Sequence, residues 1–322
     1  LHGSLTVLID GEAFEITTYR IDGEYSDGRR PDDVTFTLNL ADDLARRDFT
    51  VNAMAYNDEV GIVDLFGGED DIENGIIRCV GNPHDRFSED ALRMLRAVRF
   101  SAQLGYVIED GTAAAIRKLA GTIAKISKER IHTELNKILL SDNPDYVVKA
   151  KELGITDVVL QIMDKIQNVD VATSHMERLP KDISMRYGAL FCQAGEEATR
   201  KMLKELKLDN NTIDTASKLV ALHGLELEED EVTVRRQASG IGESMYGLLL
   251  AFEQAYYEVS GDKKKEELTK SVRCIYDRIL ERKDPLTIKD LAVTGGDLIK
   301  AGMNPGKEMG ETLKRMLEDV IE

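Results

Sequence analysis

From position 88 to 100 the chain reads SEDALRMLRAVRF, a stretch whose side chains can do chemistry. Asp90 and Arg93 stand three residues apart, which on a helix makes them neighbours on one face. Arg96 and Arg99 follow at the same interval and drift round the helix. A carboxylate beside a guanidinium forms a planar hydrogen-bonding edge able to read something flat. The same spacing also describes an ordinary surface ion pair, so the neighbourhood has to decide between them. Ser88 is placed to cap such a helix, with Glu89 and Asp90 at its positive end.

A second concentration lies upstream. Residues 46–53, RRDFTVNA, bring together Arg46, Arg47, Asp48 and Asn52. Glu15 is a third candidate. In the alternation of 13–17, Phe14 and Ile16 share one strand face, leaving Glu15 on the other, either facing solvent or placed at a site.

Elements must hold these residues in place. Residues 5–9 and 13–19 read as strands joined by Asp10-Gly11, a strong hairpin signal. Residues 21–33 hold two Asp-Gly pairs and a proline, the composition of a long mobile loop. Short strands are expected at 34–38, 54–56, 62–64 and 76–80, and a short helix at 39–46. From about 85 onward the pattern is helical throughout, with Ser127 a cap for 129–140 and acidic 225–231 a break. Strands followed by helices predict an α+β head joined to an all-α remainder.

Composition narrows the classes. Three cysteines, Cys79, Cys192 and Cys274, are odd in number and widely spaced, which fits a reducing cytoplasm. Five scattered histidines show no metal-ligand spacing. No apolar run is long enough for a membrane span, and the opening LHGSLTVLID lacks the pattern of a signal peptide. The net charge of −17 argues against a surface that binds nucleic acid everywhere. Yet residues 78–130 hold ten Lys or Arg against six Asp or Glu, a local +4 that fits either a phosphate-binding face or a solvated helical one.

In order, the motifs resemble the class II tRNA nucleotidyltransferases, the CCA-adding enzymes, and their relatives the bacterial poly(A) polymerases. RRDFTVNAMAY at 46–56 is similar to the family's RRDFTxNA signature, and DLFGG at 64–68 to the glycine motif after it. EDALRMLRAVRF at 89–100 resembles the EDxxRxxR helix, and ISKERIHTEL at 126–135 the helix that follows. The segments at 15–36 and 290–310 are similar to the family's strand-and-loop and its C-terminal region. The family's first motif, GGxVRD with an Asp-x-Asp pair, is not in the chain, which begins with Leu past the point where it should stand. The expectation is that this segment precedes Leu1 in the enzyme.

The resemblance implies a DNA polymerase β-like nucleotidyltransferase head at 1–80, incomplete here, then a helical neck at 81–143, body at 144–228 and tail at 229–322. It implies template-independent addition of C and A from CTP and ATP to the 3′ end of tRNA, with Mg²⁺ as cofactor. Two such ions about 3.5–4 Å apart would serve the transfer. No metal ligands are identifiable in this chain beyond Glu15, the candidate supporting carboxylate. Asp90 and Arg93 would read the base, and Arg47, Asp48 and Asn52 would meet sugar and phosphates. Arg96 would bind phosphate or brace the helix. Gly67 and Gly68 would shape a turn, while Glu129 and Arg130 would brace helices. The loop at 22–31 would switch the pocket from C to A. Some members carry a metal-dependent phosphohydrolase domain. Here His175 and His223 stand alone, so no such activity is expected. A poly(A) polymerase or a CC-only or A-only enzyme shares these motifs, and a non-catalytic RNA-binding homologue is the reading from another class.

Overall fold

Asp10 and Gly11 both adopt positive φ (51° and 87°), the conformation a two-residue hairpin turn needs. They join strands β1 (Ser4–Ile9) and β2 (Glu12–Thr17), which pair antiparallel with Val7 opposite Phe14 and Thr6 opposite Glu15. The computed structural model describes residues 4–23 and 33–322. The switching loop read at 22–31 lies almost wholly outside the described residues. In the hairpin the alternation holds, but Leu5, Leu8, Phe14 and Ile16 are exposed, so neither face is a core face among the described residues.

The chain divides into two compact units, Leu1–Gln167 with Lys201–Asp209, and Asn168–Arg200 with Asn210–Glu322. The architecture is α+β, with paired strands near the start and helices thereafter. In the first unit, β3 (Arg20–Asp22) pairs antiparallel with β4 (Val34–Phe36), and β5 (Met54–Asn57) with β6 (Gly61–Asp64). Between these pairs runs α1 (Leu40–Ala45), capped by the Asn39 side chain. Gly67 turns with φ 76° into α2 (Gly68–Glu73). A Cβ at Gly68 would stand 2.5 Å from the Thr50 carbonyl oxygen and 2.8 Å from Met54 Sδ, so only glycine fits. That close approach, and the bond from Thr50 Oγ1 to buried Asp71 (2.7 Å), fix the 46–53 stretch against α2.

The helical region departs from the sequence expectation at its most informative point. One helix was expected over 88–100, begun by Ser88. There are two. Asn82 caps α3 (Pro83–Glu89), with Pro83 in its first turn, a stronger start than Ser88 offers. Ser88 lies inside α3 and donates to the His84 carbonyl (2.8 Å). The chain then leaves helical geometry at Asp90 (φ −143°, ψ 104°). The Asp90 carboxylate accepts from the Leu92 backbone N–H (3.0 Å) and so starts α4 (Leu92–Leu104). Aspartate competes with backbone hydrogen bonding in this way, and the helix breaks where its side chain caps.

Gly105 (φ 70°) ends α4, and β8 (Val107–Ile108) pairs in parallel with β7 (Ile76–Ile77), a small strand within the region read as helical throughout. Then come α5 (Asp110–Leu119) and α6 (Lys128–Leu139). Ser127 sits at the N-cap of α6 but makes no side-chain capping bond. Leu95 and Val98 of α4 and Ile131, Leu135 and Ile138 of α6 are fully buried, as the packing of the two helices requires. Arg99 and Glu134 join α4 to α6 through a buried ion pair of 2.5 Å. Short helices α7 (Val147–Glu152) and α8 (Thr156–Val159) follow.

The second unit is all helix: α9 (Val169–Arg178), α10 (Ile183–Phe191), the start of α11 (Glu196–Glu205), α12 (Asn210–Leu222), α13 (Glu231–Ile241), α14 (Glu243–Ser260), α15 (Lys263–Arg282), α16 (Gly295–Lys300) and α17 (Lys307–Ile321). His175 and His223, read as standing alone, lie together: both pack edge-on against Phe252 and Tyr256 of α14. His175 donates from Nε2 to the Phe252 carbonyl (2.9 Å), and its buried Nδ1 has no partner. It is therefore the neutral Nε2–H tautomer, and burial pushes its pKa down to about 4. The three cysteines are free thiols, and no helix among the described residues is long and apolar enough to cross a membrane.

Candidate functional site

The 46–53 stretch is held by backbone bonds to the strand-like segment at 78–80. Thr50 N donates to Arg78 O (3.0 Å) and Val80 N to Asp48 O (3.1 Å). Its arginines are aimed by Asp43 of α1. This buried carboxylate accepts from Arg46 Nη2 (2.7 Å), Arg47 Nη2 (3.0 Å) and the Arg20 backbone N–H (3.2 Å). Burial alone would raise the Asp43 pKa, but the bonds from Arg46 and Arg47 outweigh it and hold the carboxyl below its ordinary value.

Across from this stretch, the α3–α4 break and the first turns of α4 and α6 complete a cavity of about 560 Å³. Of the residues singled out from sequence, Arg47, Asp48, Asn52, Asp90, Arg93 and Arg96 all line it. Glu15 does not line it, standing exposed on β2 opposite Thr6. Arg99 points elsewhere, buried against Glu134 with its guanidinium 3.6 Å from the Phe100 ring centroid.

Partners inside the cavity differ from those the spacing suggests. Asp90 and Arg93 were expected side by side on one helix, but Asp90 is not helical. Its carboxylate is bound by Arg130 of α6 (Nη2 to Oδ2, 2.6 Å). Arg93 donates to Glu89 (2.5 Å) and to the backbone carbonyls of Arg86 (3.1 Å) and Arg46 (3.3 Å). Arg96 donates from Nε to Asp48 Oδ2 (2.7 Å), while Asp48 Oδ1 accepts from Phe49 N (3.0 Å) and Asn52 Nδ2 (3.3 Å). Each polar group is thus oriented by a neighbour before any ligand arrives. Arg47 Nε is the exception, a buried donor with no hydrogen-bond partner among the described residues.

Sequence reasoning missed four lining residues, Arg46, Leu92, Phe100 and Arg130. Arg46 stands in the RRDFTVNA stretch, but the resemblance gives it no site role. Arg130 was read only as a brace. It does join α6 to Asp90, and it does so in the cavity wall. Glu129 beside it pairs with Lys207 at the surface (2.6 Å). The doublet Arg46-Arg47 was the one available signal for Arg46. Nothing local signals Arg130, whose partner lies 40 positions away.

Five arginines and two aspartates line the cavity, an excess of positive charge that suits a polyphosphate. Leu92 and Phe100 give it an apolar wall. Among the described residues no three His, Cys, Asp or Glu side chains come together to hold a metal ion, and no Asp-x-Asp pair in the family's context occurs in the sequence.

Three domain families match successive parts of the chain. They are the poly A polymerase head domain at residues 1–78, the probable RNA and SrmB-binding site of polymerase A at 105–166, and the putative tRNA nucleotidyltransferase domain 2 at 181–322. With the arginine-lined cavity, these make the class a nucleotidyltransferase. The CCA-adding enzyme of Leuconostoc mesenteroides is 33% identical over 328 residues, covering 99% of this chain and 77% of its own length. That of Enterococcus faecalis is 34% identical over 336 residues, covering 100% of this chain and 77% of its own length. A crystal structure of the Bacillus stearothermophilus CCA-adding enzyme in complex with CTP superposes with a TM-score of 0.75 at 28% identity, over 99% of this chain and 77% of that one. The chain belongs to the CCA-adding enzyme family.

Proposed function

We propose that the chain selects CTP and ATP and adds them, without a nucleic-acid template, as CCA to the 3′ end of tRNA. The observation that carries this reading is the convergence of Asp90, Arg93 and the Arg46–Asn52 stretch on one cavity. The Asp90 carboxylate accepts a hydrogen bond from the exocyclic amine of cytosine or adenine, and Arg93 donates to the adjacent ring nitrogen. Uracil and guanine would set a carbonyl against the carboxylate and a ring N–H against the guanidinium. Each mismatched charged hydrogen bond costs about 1.5–3 kcal/mol, roughly 10–100-fold in affinity. Arg47, with its unpartnered Nε, and Arg46 meet the triphosphate. Asn52 meets the ribose. Arg96 meets phosphate, and Asp48 contributes by holding Arg96 and Asn52 in place.

The family uses a divalent metal, and Mg²⁺ is the ion this reading assigns. When bound it would activate the attacking RNA hydroxyl and neutralise the leaving pyrophosphate. Glu15, exposed on β2, would be a supporting carboxylate in this reading. The cytoplasm, where tRNA and both triphosphates are found and thiols stay reduced, is the proposed location. Equilibrium binding tests the pocket: CTP and ATP bind and UTP does not, and Asp90→Ala brings UTP within a few-fold of CTP. Unchanged discrimination in Asp90→Ala would remove the base-reading role. Supplying tRNA that lacks CCA with each triphosphate in turn, and reading product length, separates CCA addition from poly(A) synthesis.

A further inference from the structure

Glu89 stands where a carboxylate does the fold little good. It is the last residue of α3, at the partially negative end of that helix, whereas Arg86 in the same turn is favoured there. The sequence reading set Glu89 at a positive helix end, and the break at Asp90 reverses that. Glu89 is half-buried and does not line the cavity that Asp90 and Arg93 share. Its two oxygens are divided between two arginines: Oε1 pairs with Arg86 Nη2 (2.6 Å) and Oε2 with Arg93 Nη1 (2.5 Å). The second pair spans the non-helical turn at Asp90, so helical periodicity does not supply it.

Asp90 and Arg93 are themselves opposite charges three positions apart. Left to each other they would form an ion pair, and the acceptor and donors that face a base would be spent on it. Instead each has a different partner of opposite charge, Arg130 for Asp90 (2.6 Å) and Glu89 for Arg93 (2.5 Å). The carbonyls of Arg86 and Arg46 also accept from Arg93 (3.1 and 3.3 Å), but a neutral acceptor competes poorly with a carboxylate for a guanidinium. Glu89 brings the charge that matches that of Asp90.

We infer that Glu89 is a positioning residue for base reading: its pair with Arg93 keeps that guanidinium off Asp90, so that acceptor and donor stay parted and face the base together. The inference rests on the base-reading role proposed for Asp90 and Arg93. It adds a residue outside the cavity whose effect on nucleotide choice runs through Arg93. A plain structural tie between α3 and α4 would use the same pair, and the test separates the two.

The test is equilibrium binding of CTP, UTP and inorganic triphosphate to the full chain. In Glu89→Ala, CTP binds about 10–100-fold more weakly, the worth of one charged hydrogen bond, and its preference over UTP falls in step. Inorganic triphosphate, which has no base to read, keeps its wild-type affinity. Asp90→Asn keeps an acceptor for the Leu92 N–H and removes the charge that would capture Arg93. In that background Glu89→Ala costs less than about threefold in CTP affinity. Glu89→Gln keeps an acceptor for Arg93 without its charge; it shows a smaller loss in the same direction and carries the test if the alanine variant does not fold. Equal loss of CTP and inorganic triphosphate overturns the inference, since the whole pocket has then loosened. So does unchanged CTP affinity in both Glu89 variants, or the full cost of Glu89→Ala persisting beside Asp90→Asn, the mark of a structural tie. If the wild-type chain binds CTP and UTP alike, the base-reading role itself fails and this inference falls with it, an outcome read before any Glu89 variant is compared.

Discussion

The buried pair Arg99–Glu134 fixes the distance between α4 and α6, and with it the meeting of Asp90 and Arg130. The two side chains are only 8% and 6% exposed, so removing one leaves the other charged and desolvated. Burial pushes the Arg99 pKa down from the usual guanidinium value, against the pull of the Glu134 carboxylate. The two losses are unequal. Without Arg99, Glu134 keeps Lys137 at 3.3 Å. Without Glu134, Arg99 keeps only neutral Gln103 at 2.8 Å and its stacking on Phe100. Glu134→Leu is therefore expected to cost about 3–5 kcal/mol, the range for breaking a buried pair, and to lower Tm by roughly 10 °C. Arg99→Met costs about 1–2 kcal/mol, because the remaining carboxylate is still paired. The double variant Arg99→Met/Glu134→Leu returns to within about 1 kcal/mol of wild type, since neither charge is left alone. Scanning calorimetry of the four proteins reads the cycle, and CTP affinity in the double variant reports whether the helices keep their places. A double variant as unstable as the sum of the singles would refute the reasoning.

Two further outcomes are expected. The folded-state pKa of His175, about 4, lies below the ordinary 6.5. The unfolded chain takes up a proton first as pH falls, so this contribution is complete above pH 6.5 and lost on acidification toward pH 4; it amounts to about 3 kcal/mol. His175→Phe should flatten the dependence of Tm on pH over that window, and superimposable curves would contradict it. Gly68→Ala places a Cβ 2.5 Å from the Thr50 carbonyl and should cost about 1–3 kcal/mol. Gly67→Ala meets nothing within 4 Å and carries only the strain of φ 76°, about 1 kcal/mol, so thermal unfolding should rank Gly68→Ala as the worse.

What the sequence made legible was local. Asp10-Gly11 specifies its hairpin through backbone conformation alone, and the alternation that sets Glu15 against Phe14 and Ile16 survives in the register. The RRDFTVNA and EDALR stretches could be named as partners in chemistry because their order matches a family. What stayed hidden needed long-range contacts. The break at Asp90 depends on Asn82-Pro83 starting the helix early and on a side chain that caps rather than continues. Arg130 reaches Asp90 across 40 positions, and Arg96 reaches Asp48 across 48, so no helical periodicity could pair them. His175 and His223 become neighbours only when α9, α12 and α14 pack.

The non-helical turn at Asp90 also bears on how such a pocket can change over generations. Its carboxylate has a local task, starting α4 through the Leu92 N–H. Asparagine can perform that task as well as aspartate, but it gives up the charge that binds Arg130 of α6 (2.6 Å), so the exchange keeps the start of α4 and weakens the tie to α6. In the cavity the exchange turns an acceptor into a group that also donates. Position 90 is thereby tied to α6 through Arg130, as Arg93 is tied to Glu89 and two backbone carbonyls. Under the proposed base-reading role, a change at position 90 would alter the edge offered to the base and the tie to α6 together.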